Sequence, residues 1–153
     1  MTKKQMELSI KEFSILSLNF TYIPYEAASE EEGEILNQPV EVDFDIQTTE
    51  KSDSIRIELD LTCNFEEEDL HPGYSYYVSC EAFFDLENAE SKKDVEIDGY
   101  LLYTALPMVI DYMRGYLATI SGSFPYGQYL MPIIDIDEVI ENAIEKQNRE
   151  EKE

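Results

Sequence analysis

The chain has 153 residues, is 43% hydrophobic and carries a formal charge of -23 at pH 7. That length supports one substantial core, so a single domain spanning the chain is expected, with residues 1–10 and 147–153 as disordered tails. So acidic a surface repels phosphate backbones, which argues against nucleic-acid binding, and it draws in basic polypeptide segments.

The same charge would also keep a sticky protein soluble, and the two uses are compatible. The opening residues contain no apolar signal-peptide core. No apolar run approaches the length of a membrane span. A cytoplasmic protein without membrane insertion is the expectation. Cys63 and Cys80 both fall inside strand patterns, as buried reduced thiols would; a disulfide would require them to lie opposite each other on paired strands. One histidine and no CxxC motif leave no metal site to argue for, and no cofactor is expected. Asn19-Phe20-Thr21 spells a glycosylation sequon that has no meaning without export.

In chain order, residues 1–9 are polar and read as frayed. Alternation begins at Lys11, with Leu16, Leu18, Phe20 and Tyr22 on one face and Ser17, Asn19 and Thr21 on the other. Pro24 ends this strand. Residues 26–38 are acidic and contain Gly33; they read as a long crossover loop rather than a helix, because like charges repel and glycine weakens a helix. A second strand sets Val40, Val42, Phe44 and Ile46 against Glu41, Asp43, Asp45 and Gln47. The third runs from Ile55 to Phe65 with strict alternation. The fourth carries Tyr76, Val78, Cys80, Ala82 and Phe84 on one face, and Tyr77, Ser79, Glu81, Phe83 and Asp85 on the other.

Alternation of this kind marks an antiparallel sheet with one buried and one wet face. Strands followed by helices argue an α+β fold with the helices on the apolar face. Residues 86–99 read as a polar connector. A long helix is expected from about Tyr100 to Ile120, striped by Leu102, Leu106, Val109, Met113, Tyr116 or Leu117, and Ile120. Pro107 belongs in a first turn, so the helix would start near Ala105 with residues 100–103 extended. Gly122 stops it. Asp135 or Asp137 caps a shorter final helix bearing Val139, Ile140, Ala143 and Ile144.

Between the two helices, residues 121–137 hold more aromatic and apolar surface than a turn requires. Phe124, Tyr126, Tyr129, Leu130 and Met131 are candidates for lining a groove, with Tyr22 and Tyr25 as weaker ones. Aromatic rings offer large contact area and methionine adapts its shape, which suits extended apolar ligands of varied sequence. The alternative is that these side chains simply pack onto the sheet as core. His71 stands beside Pro72-Gly73 as a turn residue. The carboxylate runs 30–32 and 66–69 lack the ligand spacing of a calcium loop. No residues assemble into a catalytic constellation, so the chain is not expected to be an enzyme.

This layout resembles the bacterial export chaperone SecB and its SecB-like relatives over roughly residues 11–147. The phrase between the helices carries the resemblance: Gly122-Ser123-Phe124-Pro125, then Tyr129-Leu130-Met131-Pro132-Ile133-Ile134-Asp135. Ile23-Pro24-Tyr25-Glu26 is close to the family's Ile-x-Phe-Glu, and Cys80-Glu81 matches its Cys-Glu. Of the acidic face on which SecB docks the export ATPase SecA, only Glu26 and Glu81 match. Tyr22 stands where the family has an acidic residue, and Ser79 where it has an apolar one.

The resemblance implies a four-stranded antiparallel sheet, a long helix and a shorter C-terminal helix packed on one face, assembling as a homotetramer built as a dimer of dimers. It implies a nucleotide-independent holdase that takes unfolded or pre-export polypeptides into an apolar groove. Glu26 and Glu81 would dock a SecA-like partner. Some SecB-like relatives serve toxin–antitoxin systems, so a chaperone dedicated to one antitoxin is the other reading.

Overall fold

The computed structural model describes residues 5–24, 38–48, 53–65, 70–90 and 92–152. Four strands come first: β1 (Glu7–Ile23), β2 (Val40–Thr48), β3 (Ser54–Cys63) and β4 (Gly73–Glu87). They form one antiparallel sheet in the order β1-β4-β3-β2. The helical part begins with α1 (Asp94–Tyr100), passes through a π-helical turn (Leu101–Ala105) into α2 (Leu106–Ser121), and ends with α3 (Ile136–Glu151). The α+β expectation holds. The acidic crossover segment expected at 26–38 lies outside the described residues through position 37, and so does Tyr25.

The core forms where the alternation placed it. Ile55, Ile57, Leu59 and Leu61 of β3 face Tyr76, Val78, Cys80, Ala82 and Phe84 of β4, all at most 1% exposed. Helix α2 covers them with Leu106, Val109, Ile110, Met113 and Leu117, spaced three and four apart on one stripe. Each such side chain taken fully out of water contributes about 1.5–3 kcal/mol. Cys63 and Cys80 are free thiols inside this core.

Three local expectations are corrected. Strand β1 starts at Glu7 and α3 runs to Glu151, so residues 7–10 and 147–151 of the two supposed tails belong to regular elements. Leu16 does not share a face with Leu18, Phe20 and Tyr22. The register against β4 shifts at Ile10/Glu12 and again at Ile15/Ser17. Each shift adds one residue and flips the side-chain parity. Phe13 and Ile15 thereby rejoin the apolar face, and Leu16 falls at the second bulge, 48% exposed. Finally, residues 94–105 are helical rather than a connector and an extended lead-in. Pro107 lacks the N–H that an α-helix would direct to the carbonyl of residue 103. The ladder shifts to i→i+5 here, with Leu106 N–H donating to the Leu101 carbonyl, and the helix passes through without ending.

Candidate functional site

After Ser121 the chain crosses the sheet as an irregular strap, residues 122–135, before α3 begins. Tyrosines stitch the strap to the strands. Tyr74 OH donates to the Gly127 carbonyl at 2.5 Å, and Tyr126 OH to the Ile23 carbonyl at 2.9 Å. The Tyr76 and Tyr129 hydroxyls meet at 2.8 Å inside the core. Ser121 Oγ accepts from the Tyr129 N–H at 2.7 Å while donating to the Leu117 carbonyl, so the end of α2 fixes the return of the chain. Gly127, at φ +75, supplies the left-handed residue in that return. Arg114 on α2 donates to the carbonyls of Met131 and Pro132.

Rings fill the space beneath. Phe124 meets Phe20 edge-on at 5.1 Å, and Tyr126 lies 5.0 Å from Tyr22 and 5.6 Å from Tyr74. Burial pushes the phenols of Tyr76 and Tyr129 upward, out of reach of physiological pH. Burial also raises the Cys63 thiol to about 11 and the Cys80 thiol to about 12, so neither is a thiolate nucleophile.

The groove expected along Phe124–Met131 does not open there. Tyr129 and Met131 are 3% and 4% exposed and belong to the core. Phe124, Tyr126 and Tyr22 are half-buried in the ring cluster just described, and Leu130 points to solvent. The open space lies immediately downstream. A groove of about 1350 Å³ runs between β2 and α3. Val40, Val42, Phe44 and Ile46 form one wall, and Val139, Ile140, Ala143 and Ile144 of α3 the other. Leu101 and Leu102, from the π-helical turn, and Ile133 and Ile134, from the end of the strap, also line it. Ile133 and Ile144 are 95% and 53% exposed.

Local chemistry explains how α3 is held at that distance from the sheet. Asp135 caps it, accepting from the N–H groups of Asp137 at 3.0 Å and Glu138 at 3.4 Å. Tyr103, within the π-helical turn, donates to Asp137 Oδ1 at 2.8 Å. Beyond Val139, the contact of α3 with β2 includes one exposed pair, Lys146 Nζ to Asp43 Oδ1 at 3.3 Å. Of the charged side chains lining the groove, carboxylates outnumber cations seven to two. Its described lining contains no histidine, cysteine or serine, and no cluster of metal-binding side chains occurs among the described residues. The surface suits apolar contact with a cationic, extended ligand.

Glu81 sits on the opposite face of the sheet. Arg56 holds it, with Nη2 at 2.7 Å and Nε at 2.9 Å, and also reaches Glu58 at 3.2 Å. Those hydrogen bonds, to Glu81 first, raise the Arg56 guanidinium further above its ordinary value. Glu26, the other residue of the expected docking pair, lies outside the described residues. The groove walls on β2 and α3 appeared in the sequence only as apolar stripes, with nothing to tell an open stripe from a sealed one.

No family model and no curated protein matches the chain. Solved structures do. The SecB-like chaperone Rv1957 of Mycobacterium tuberculosis, in complex with a ChAD peptide from the Rv1956 HigA1 antitoxin, superposes with a TM-score of 0.55 at 11% identity. The match covers 84% of this chain and 91% of that one. A protein of unknown function from Streptococcus agalactiae matches at a TM-score of 0.50 and 9% identity, over 86% of this chain and all of that one. The chain therefore has a SecB-like fold.

Proposed function

We propose that this protein is a nucleotide-independent chaperone that holds unfolded or pre-export polypeptides in the groove between β2 and α3. The observation that carries the reading is that groove: an open trough with apolar side chains on both walls, on a SecB-like fold, whose charged lining is mainly carboxylate. The apolar side chains standing open in and beside it, Ile133, Ile144 and Leu130, are what a bound polypeptide would cover. Ile133 and Ile144 touch the client directly, with Leu130 at the margin. Phe124, Tyr126, Tyr129, Met131 and Tyr22 hold the strap and so set the width of the groove. The exposed apolar side chains Leu18 on β1 and Tyr112 on α2 are covered by further copies in a tetramer. Glu81 serves a SecA-like partner only if that partner competes with Arg56 for it.

The test is light scattering from an aggregating unfolded client in the absence of nucleotide. Scattering falls at stoichiometric amounts of the protein if the reading holds, and an unchanged trace refutes it. The second reading is a chaperone dedicated to a single antitoxin, favoured by the antitoxin peptide on the Mycobacterium neighbour. A pull-down with one dominant client selects it; many clients select the general holdase.

A further inference from the structure

The two edges of the sheet are built differently. The β1 edge is broken by two bulges, which twist an edge away from further pairing. Strand β2 keeps unbroken register with β3 over all nine residues and contains no proline. Among the described residues it pairs on one side only. Its other side opens onto the groove. Every residue from 38 to 46 lines that space, including those whose side chains point to opposite faces. What the groove meets is thus the backbone edge of β2 as well as its apolar face. Nine residues of strand extend roughly 30 Å, the reach of one extended peptide segment.

The side chains beside that edge state what the segment must carry. On the helix side stand Val42, Phe44 and Ile46, which call for apolar partners. On the other side stand Glu41, Asp43 and Asp45, backed across β3 by Asp60 opposite Asp43 and Glu58 opposite Asp45. Arg56 is bonded to Glu58 on β3 and Glu81 on β4 rather than to the carboxylates of β2 itself. Asp60 Oδ1 is buried without a hydrogen-bond partner. Lys146 meanwhile reaches in from α3 to Asp43, supplying one cation where the row has several carboxylates.

We infer that β2 is an acceptor strand: an extended segment of the captured polypeptide, alternating apolar and cationic residues, adds to the edge that the described residues leave unpaired and displaces Lys146 from Asp43. This rests on the groove being the capture site and adds the conformation and sequence pattern of what is captured. Main-chain hydrogen bonds supply affinity that tolerates many sequences, and the two side-chain rows select the pattern. Lys146 acts as an internal stand-in for a client cation and holds the C-terminal half of α3 against β2 until a better supplied strand arrives.

The experiment uses the full chain and a nine-residue peptide alternating leucine or phenylalanine with lysine. Two isomers are N-methylated, one at every apolar residue and one at every lysine. In a strand, alternate residues direct their N–H groups to opposite sides, so only one isomer is blocked toward β2. Binding by calorimetry should show one isomer close to the parent and the other about tenfold weaker or more. Equal affinities overturn the inference. So does a parent peptide that fails to bind while an unfolded client is captured; the groove reading survives that result and falls only if the client is also ignored. Lys146→Ala should tighten the parent about two- to fivefold, since an exposed pair is easily displaced; weaker binding argues against displacement. Amide exchange along β2 should slow only when peptide is added. Slow exchange without peptide means the edge is already occupied, by another copy if it depends on concentration and by the same chain if not, and overturns the inference.

Discussion

Tyr129→Phe keeps the ring in place and deletes half of a buried hydroxyl pair. The two oxygens are 2.8 Å apart, and Tyr76 and Tyr129 are 0% and 3% exposed, so no bulk water replaces the lost partner. A buried polar group left unsatisfied costs about 1–3 kcal/mol. The Cys63 thiol lies within hydrogen-bonding reach of both hydroxyls and is a weak partner. That places the cost at about 1–2 kcal/mol, and Tyr76→Phe should cost a similar amount. The double variant removes both groups together and leaves none orphaned. It should lie within about 1 kcal/mol of the worse single variant, a coupling of about 1 kcal/mol for a contacting pair. Urea unfolding with an unchanged slope measures all three. Additive losses, or single variants as stable as the parent, would refute the claim that this pair fastens the strap to the sheet.

Asp135→Ala should lower stability by about 1 kcal/mol in the same assay, because it removes the side-chain acceptor for two N–H groups at the start of α3. Met131→Ala should cost about 2–5 kcal/mol, whereas its neighbour Leu130→Ala should stay within about 0.5 kcal/mol, since one is 4% and the other 71% exposed. Alkali should destabilise the fold. The thiols of Cys63 and Cys80 titrate near 9.0 when unfolded and at about 11 and about 12 when buried. Below pH 9.0 both states hold these protons and stability is fully present; above it the unfolded chain releases them first, so stability falls as pH climbs toward those folded values. Urea midpoints followed from neutral pH upward should be level at first and then decline. A midpoint still level near pH 11 would contradict the burial of both thiols.

The sheet was legible because its strands alternate cleanly: alternate residues from Ile55 to Cys63 could be assigned to one face, and Asp135 was one of the two aspartates that marked the start of α3. Three things were not legible. Bulges at Ile10/Glu12 and Ile15/Ser17 reset parity without any glycine or proline to mark them. Pro107 signalled a helix start by the usual rule, but a π-helical turn absorbs it inside a longer helix. The groove was placed too early in the chain because strap aromatics look exposed when their partners are distant: Tyr74 to Gly127 and Tyr76 to Tyr129 each span 53 residues. Once those hydroxyls find the strap, its rings become core, and the uncovered apolar surface passes to β2, Ile133 and α3.

The most direct test is the affinity of an unfolded client for the doubly substituted Ile133→Ser, Ile144→Ser protein. Both side chains are largely exposed, so the thermal melt should be unchanged. Ile133 and the exposed half of Ile144 bury apolar surface only against the client, and losing both should weaken capture at least about tenfold. A variant that melts like the parent and still binds the client with undiminished affinity would show that the groove between β2 and α3 is not where polypeptide is held.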